Sequence, residues 1–189
     1  SKKDYAQAVY ESFCEELIEN GSLKSVIFAT VHKQSTEILF EKLIEKGLSA
    51  YVGKVNMDMN CPMEIQEGTI TSLKDTEEIV LKYCSQPMVK PIITPRFVPT
   101  CSRMLLQELG KMAFKYNVPV QSHLSENREE VQWVKELFPD CQNYSRVYNS
   151  FGLFGQTPTI MAHCIYLTKD GKELIKNNGV GIVHCPQSN

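Results

Sequence analysis

What this chain has little of narrows its possible functions first. Twenty Lys and Arg stand against 22 Asp and Glu, a formal charge of −2 at pH 7, and no basic run exceeds a dipeptide. There is no electrostatic field to draw in a nucleic acid. No apolar stretch nears the roughly 20 residues that a membrane helix needs. The opening Ser1-Lys2-Lys3-Asp4 is not followed by a signal-peptide core. The chain is therefore expected to be soluble and cytoplasmic, with neither nucleic acid nor membrane as a partner. Its seven cysteines are odd in number, widely spaced and without a Cys-x-x-Cys pair. That pattern argues against a disulfide framework and a zinc knuckle, and for small buried hydrophobes in a reducing compartment.

Histidine is scarce, with four in 189 residues, yet three of the four end apolar, strand-like runs: His123, His163 and His184. Around those runs the chain alternates between two periodicities. Helical spacing over the first twenty residues stops at Asn20-Gly21, and a strand is expected over 26–30. A helix over 35–46 and a strand over 48–55 come next. A loop over 56–68, open to a functional reading or to that of a plain surface excursion, leads to a helix over 72–85. Strand 90–97, helix 101–116, strand 118–124 and helix 127–137 continue the pattern. After an irregular segment with a short helix over 143–151 come strand 159–164, helix 168–177 and strand 180–184.

Runs such as Val26-Ile27-Phe28-Ala29 and Val180-Gly181-Ile182-Val183 are continuously apolar, as in a parallel sheet covered on both faces. The class is α/β. A doubly wound sheet would carry a glycine-rich phosphate turn after its first strand, and Thr30-Val31-His32-Lys33 is not one. A complete eight-unit barrel needs roughly 250 residues. About six parallel βα units are expected here, an incomplete TIM-type (β/α)8 barrel lacking its first and last strands.

In a parallel barrel the carboxyl ends of all strands converge on one face, so Arg96, His123, His163 and His184 could meet there. A lone histidine at a strand end is usually structural, but three in register suggest a zinc site with an open position for water. Glu126, three residues past His123, could shuttle a proton at such a site. It could equally join Glu129 and Glu130 in favouring the dipole of a helix capped by Ser125, and spacing alone leaves both open. Arg96 offers a planar fork of donors suited to a ring with carbonyl and ring-nitrogen acceptors, and Phe97 could lie against such a ring or belong to the core. His32 reads better as a loop residue than as a site residue. Cys164 and Cys185 point away from the histidines that precede them. The His-x-Glu and Pro-Cys-x-x-Cys signature of the other zinc deaminases is absent.

Thr94-Pro95-Arg96-Phe97, Gln121-Ser122-His123-Leu124-Ser125-Glu126-Asn127, Met161-Ala162-His163 and His184-Cys185-Pro186, in this order and spacing, resemble the amidohydrolase superfamily and, within it, the guanine deaminases. The Ser-His-x-Ser-Glu and His-Cys-Pro elements belong to the wider group of related deaminases and chlorohydrolases, and Pro-Arg-Phe narrows the likeness to guanine. The resemblance covers essentially the whole chain, including Tyr51 to Asp58.

It implies zinc as cofactor with His123 and His163 as ligands, and Glu126 as the catalytic proton shuttle. It makes Arg96, Phe97 and His123 contacts to the purine and gives His184 a supporting place behind the ligands. The family completes its zinc site with a His-x-His pair and an aspartate that are not found in this sequence. Residues 1–189 are thus expected to be the central part of one barrel domain, inactive alone, within a homodimeric protein that hydrolyses guanine to xanthine and ammonia. Two other readings stay open: a sister enzyme acting on another aminated heterocycle, and a binding or assembly module without catalysis.

Overall fold

The computed structural model describes residues 2–188. Helix α1 (Lys2–Glu19) precedes a run of strands and helices: β1 (Lys24–Phe28), α2 (Lys33–Glu45), β2 (Ser49–Gly53), β3 (Val55–Asn56), α3 (Thr69–Tyr83), β4 (Val89–Pro91) and β5 (Thr94–Pro95). It continues with α4 (Arg103–Tyr116), β6 (Val120–Leu124), α5 (Arg128–Leu137), α6 (Tyr144–Ser150), β7 (Thr159–His163), α7 (Lys169–Asn177) and β8 (Gly181–Val183). Every strand pairing is parallel, in the orders β1-β2-β4, β3-β5 and β6-β7-β8. A single parallel bridge between Ile93 and Val120 joins the two halves. Among the described residues no helix is long and apolar enough to cross a membrane.

The eight strands occupy the six stretches expected from the sequence, because two of those stretches are interrupted. Strand 48–55 breaks at Lys54 and strand 90–97 breaks after Pro91. Register does not change across the breaks: Val52 faces Pro91 and Val55 faces Thr94 at the same offset. What interrupts the ladder is local. At the first break Thr94 crowds Gly53 so closely that a Cβ there would sit 1.7 Å from its Oγ1, and at the second the Ile92 N–H still donates to the Val52 carbonyl at 3.2 Å.

The sheet curls, as a twisted run of parallel strands does. Gln121 on β6 donates through Nε2 to the carbonyl of Ile27 on β1 at 3.0 Å and to Thr94 Oγ1 at 2.9 Å. The ring of Phe28, at the end of β1, lies 4.5 Å from that of His123. Curling brings the first strand against the fourth stretch, so the carboxyl ends of the strands share one mouth. The two ends of the run are open. β1 and β8 each pair on one side only, and Val26 is 44% and Ile182 54% exposed.

The larger core packs α4, α5 and α6 against β6 and β7 through Leu105, Leu106, Leu109, Val120, Leu124, Tyr148 and Met161. Leu105, Leu109, Met112 and Ala113 repeat at helical spacing on one face of α4. A second cluster, with Leu39, Phe40, Leu43, Val52 and Ile79, lies under β1, β2 and β4. Leu109 has no exposed surface, so Leu109→Ala leaves a cavity beneath β6. It is expected to destabilise the fold by about 2–5 kcal/mol, measured as a lower urea midpoint at unchanged slope.

Candidate active site

His123 lies in β6, on the same face as Gln121, because strand side chains alternate. Its Nδ1 is 2.7 Å from the main-chain oxygen of Arg96, just past β5. A carbonyl can only accept, so Nδ1 carries the proton and Nε2 keeps its lone pair. Burial is the leading cause that lowers the imidazole's pKa, with the Arg96 carbonyl opposing it. His123 is therefore a neutral ring with a fixed tautomer and an available nitrogen, the state in which imidazole ligates a metal.

His163 ends β7, and register sets it beside Leu124. Its ring is 5.4 Å from that of His123, the two planes inclined by 25°, and its Nε2 is 3.6 Å from Glu126 Oε2. The loops leaving β6 and β7 are laced together. Cys164 donates to the Leu124 carbonyl at 2.8 Å, while Ile165 and Tyr166 donate to that of Ser125 at 3.1 and 3.0 Å. Ser125, His163 and Cys164 all have positive φ, at 54°, 72° and 58°. Such conformations are costly for residues with a side chain and persist where surrounding bonds over-determine them, commonly at functional sites.

Ser125 does not cap α5. That position belongs to Asn127, whose side chain accepts from the Glu130 N–H at 2.8 Å. Glu130 is buried, and its Oε2 accepts from the Glu126 N–H at 3.3 Å. Glu126 thus stands one residue before the cap, its main chain held by Glu130 and its side chain turned toward His163.

Arg96 is exposed, and no carboxylate lies within ion-pair distance of it among the described residues. Its guanidinium sits 5.5 Å from the Phe97 ring and 3.5 Å from the sulfur of Met57. Phe97 is half-buried and meets Trp133 edge to face at 6.2 Å, so it belongs partly to the packing and partly to the mouth. His184 is exposed, one residue past the last pairing of β8, Ala162 with Val183, which puts it level with His163 along the sheet. His32 is exposed, at the start of α2.

No sequence signal marks the residues that brace this site from behind. Tyr148, fully buried on α6, donates to the His123 carbonyl at 2.8 Å and lies 2.6 Å from Ser122 Oγ. Ser122 is in turn 2.7 Å from the Pro95 carbonyl. Burial raises the pKa of the Tyr148 phenol, which keeps it a donor. An α/β alternation shows where a helix falls but not which of its aromatic residues reaches a strand.

A divalent metal would find two imidazoles side by side here, ligands that suit zinc, with the Glu126 carboxylate next to His163. Among the described residues no group of three or more His, Cys, Asp or Glu is arranged to hold a metal. The fit is to part of a ligand shell.

Residues 1–189 match the amidohydrolase family. The chain is 37% identical to guanine deaminase of Dictyostelium discoideum and 40% identical to that of Mus musculus. Each alignment covers 98% of this chain and 41% of the relative, so the chain spans about two fifths of those proteins. A crystal structure of guanine deaminase from C. acetobutylicum, with guanine bound in its active site, superposes with a TM-score of 0.96. It is 56% identical over 97% of this chain and 44% of that one.

Tyr148→Phe removes a donor from a buried carbonyl without altering the packing. The expected cost is about 1–3 kcal/mol, read as a lower midpoint of chemical unfolding.

Proposed function

This chain belongs to the amidohydrolase family, and from that membership we propose that it is the central part of a guanine deaminase, an incomplete (β/α)8 barrel of about six units. The observation that carries the proposal is the joint placement of Arg96, His123, Glu126 and His163 at one mouth, together with the likeness to guanine deaminases over nearly the whole chain. His123 and His163 are the proposed zinc ligands. The rest of the ligand shell, a His-x-His pair and an aspartate by analogy with the family, lies outside these residues. Zinc, when bound, supplies a Lewis acid that brings the pKa of water near neutrality.

The chain's own residues do the remainder. Arg96 binds the carbonyl and ring nitrogen of guanine with its planar donors, and Phe97, stacked with that guanidinium, gives the ring an apolar wall. His123 borders the same space. Glu126 takes one proton from the attacking water and gives it to the ring nitrogen, then takes the second from the newly attached hydroxyl and gives it to the departing amine. The carbon–nitrogen bond to the amino group breaks as a carbon–oxygen bond forms, giving xanthine and ammonia. His184 supports the ligands from the adjacent strand end. A homodimer in the cytoplasm is the corresponding reading for the complete protein, resting on the family likeness.

Three measurements test this on the complete protein. Guanine-dependent ammonia release is expected, lost with a chelator and restored by zinc. Glu126→Gln is expected to lower kcat by about 100-fold to 10,000-fold with little change in zinc content. Arg96→Ala is expected to raise KM for guanine. Release of ammonia from another aminated heterocycle but not from guanine would assign the site to a sister deaminase. Absence of any stoichiometric metal from the complete protein would favour a binding module.

A further inference from the structure

A second polar cluster has no part in the chemistry proposed above. Lys54, at the break between β2 and β3, has a side chain with 0% exposure, and its Nζ lies 2.5 Å from Oε1 of Glu67, itself 11% exposed. The other oxygen of Glu67 accepts from Ser72 Oγ at 2.8 Å. Ser72 Oγ accepts from Asn56 Nδ2 at 2.8 Å, and the same amide donates to Thr76 Oγ1 at 2.7 Å. Asn56 and Ser72 are fully buried.

The two residues this network fixes are the two that hold Arg96. The carbonyl of Asn56 accepts from the Arg96 N–H at 3.2 Å, and the carbonyl of Met57 accepts from the Glu67 N–H at 2.9 Å. Met57, buried, sets its sulfur 3.5 Å from Nη1 of Arg96. Glu67 therefore grips Lys54 and Ser72 through its side chain and Met57 through its main chain; the Arg96 side chain rests on Met57, and its N–H rests on Asn56, which Ser72 links to Glu67.

Stability does not explain a buried charge pair at this place. Desolvation of two ions offsets much or all of their attraction, and an apolar pair of similar volume often stabilises a fold as well. Apolar contact is non-directional, whereas an ion pair hydrogen-bonded to polar neighbours fixes one geometry. We infer that the Lys54–Glu67 pair, acting through Ser72, Asn56 and Met57, is a positioning device. It aims the Arg96 guanidinium and so sets selectivity for a ring with adjacent carbonyl and ring-nitrogen acceptors. The inference rests on Arg96 reading the purine, as proposed above.

The test is steady-state deamination of guanine by the complete protein carrying Lys54→Met with Glu67→Leu, which removes both charges without stranding either. Ser72→Ala is a milder break in the same chain and serves if the double variant does not fold. KM is expected to rise about tenfold in the double variant and less in Ser72→Ala, with kcat within about twofold. In an Arg96→Ala background the same changes are expected to leave KM where Arg96→Ala alone puts it, since no guanidinium remains to be aimed. Unchanged KM in an active protein, or a rise that adds fully to that of Arg96→Ala, overturns the inference alone. A wild-type protein inactive on guanine overturns the functional proposal, and the inference with it.

Discussion

The main-chain oxygen of Arg96 accepts two hydrogen bonds from His123, one from its backbone N–H at 3.3 Å and one from Nδ1 at 2.7 Å. The first stitches the exit of β5 to β6. The second decides which imidazole nitrogen is left facing the mouth. Without it the ring could turn or change tautomer, and its spacing from His163 would lose meaning. Supports behind the strand make the arrangement rigid: Tyr148 holds the His123 carbonyl, and Ser122 holds that of Pro95. A site built on strand ends can keep such geometry because β7 is paired with β6 on one side and β8 on the other, and the His123 N–H ties β6 to the exit of β5.

Much of this was legible in the sequence for physical reasons. Continuous apolar runs alternating with amphipathic helices leave a parallel sheet as the economical solution, and parallel strands must deliver their last residues to one face. Hence Arg96, His123 and His163 could be brought together on paper although they span 68 positions of chain. The break at Lys54 was not legible, because the close approach of Thr94 to Gly53 comes from a neighbouring strand. Which residue caps α5 was not legible either, because Ser and Asn are both good caps. The choice fell to Asn127 once Ser125 was drawn into the left-handed region by its bonds to the loop after β7. Tyr148 left no trace at all, since one aromatic residue on an amphipathic helix looks like core.

Strain is concentrated where the chemistry is proposed. Positive φ at Ser125, His163 and Cys164 costs on the order of 1–3 kcal/mol per residue. The adjoining core of Leu105, Leu106, Leu109, Leu124 and Met161 supplies burial worth about 1.5–3 kcal/mol per large side chain. The division is spatial. Packing sits behind β6 and β7, and the strained peptides sit at their carboxyl ends, where three hydrogen bonds to the Leu124 and Ser125 carbonyls hold them.

Arg96 belongs to both halves of the mouth, but through different atoms. Its carbonyl fixes His123, its N–H rests on Asn56, and its side chain alone projects past Met57 and Phe97. A substitution at position 96 can therefore change the group that would meet a ring while leaving the His123 tautomer untouched, because the carbonyl is common to all residues. The ring recognition and the metal-facing geometry proposed here share one peptide without sharing a side chain. On the proposed roles, a scaffold arranged in this way would alter its substrate by exchanging the side chain after β5 while keeping the proposed hydrolytic half of the mouth intact.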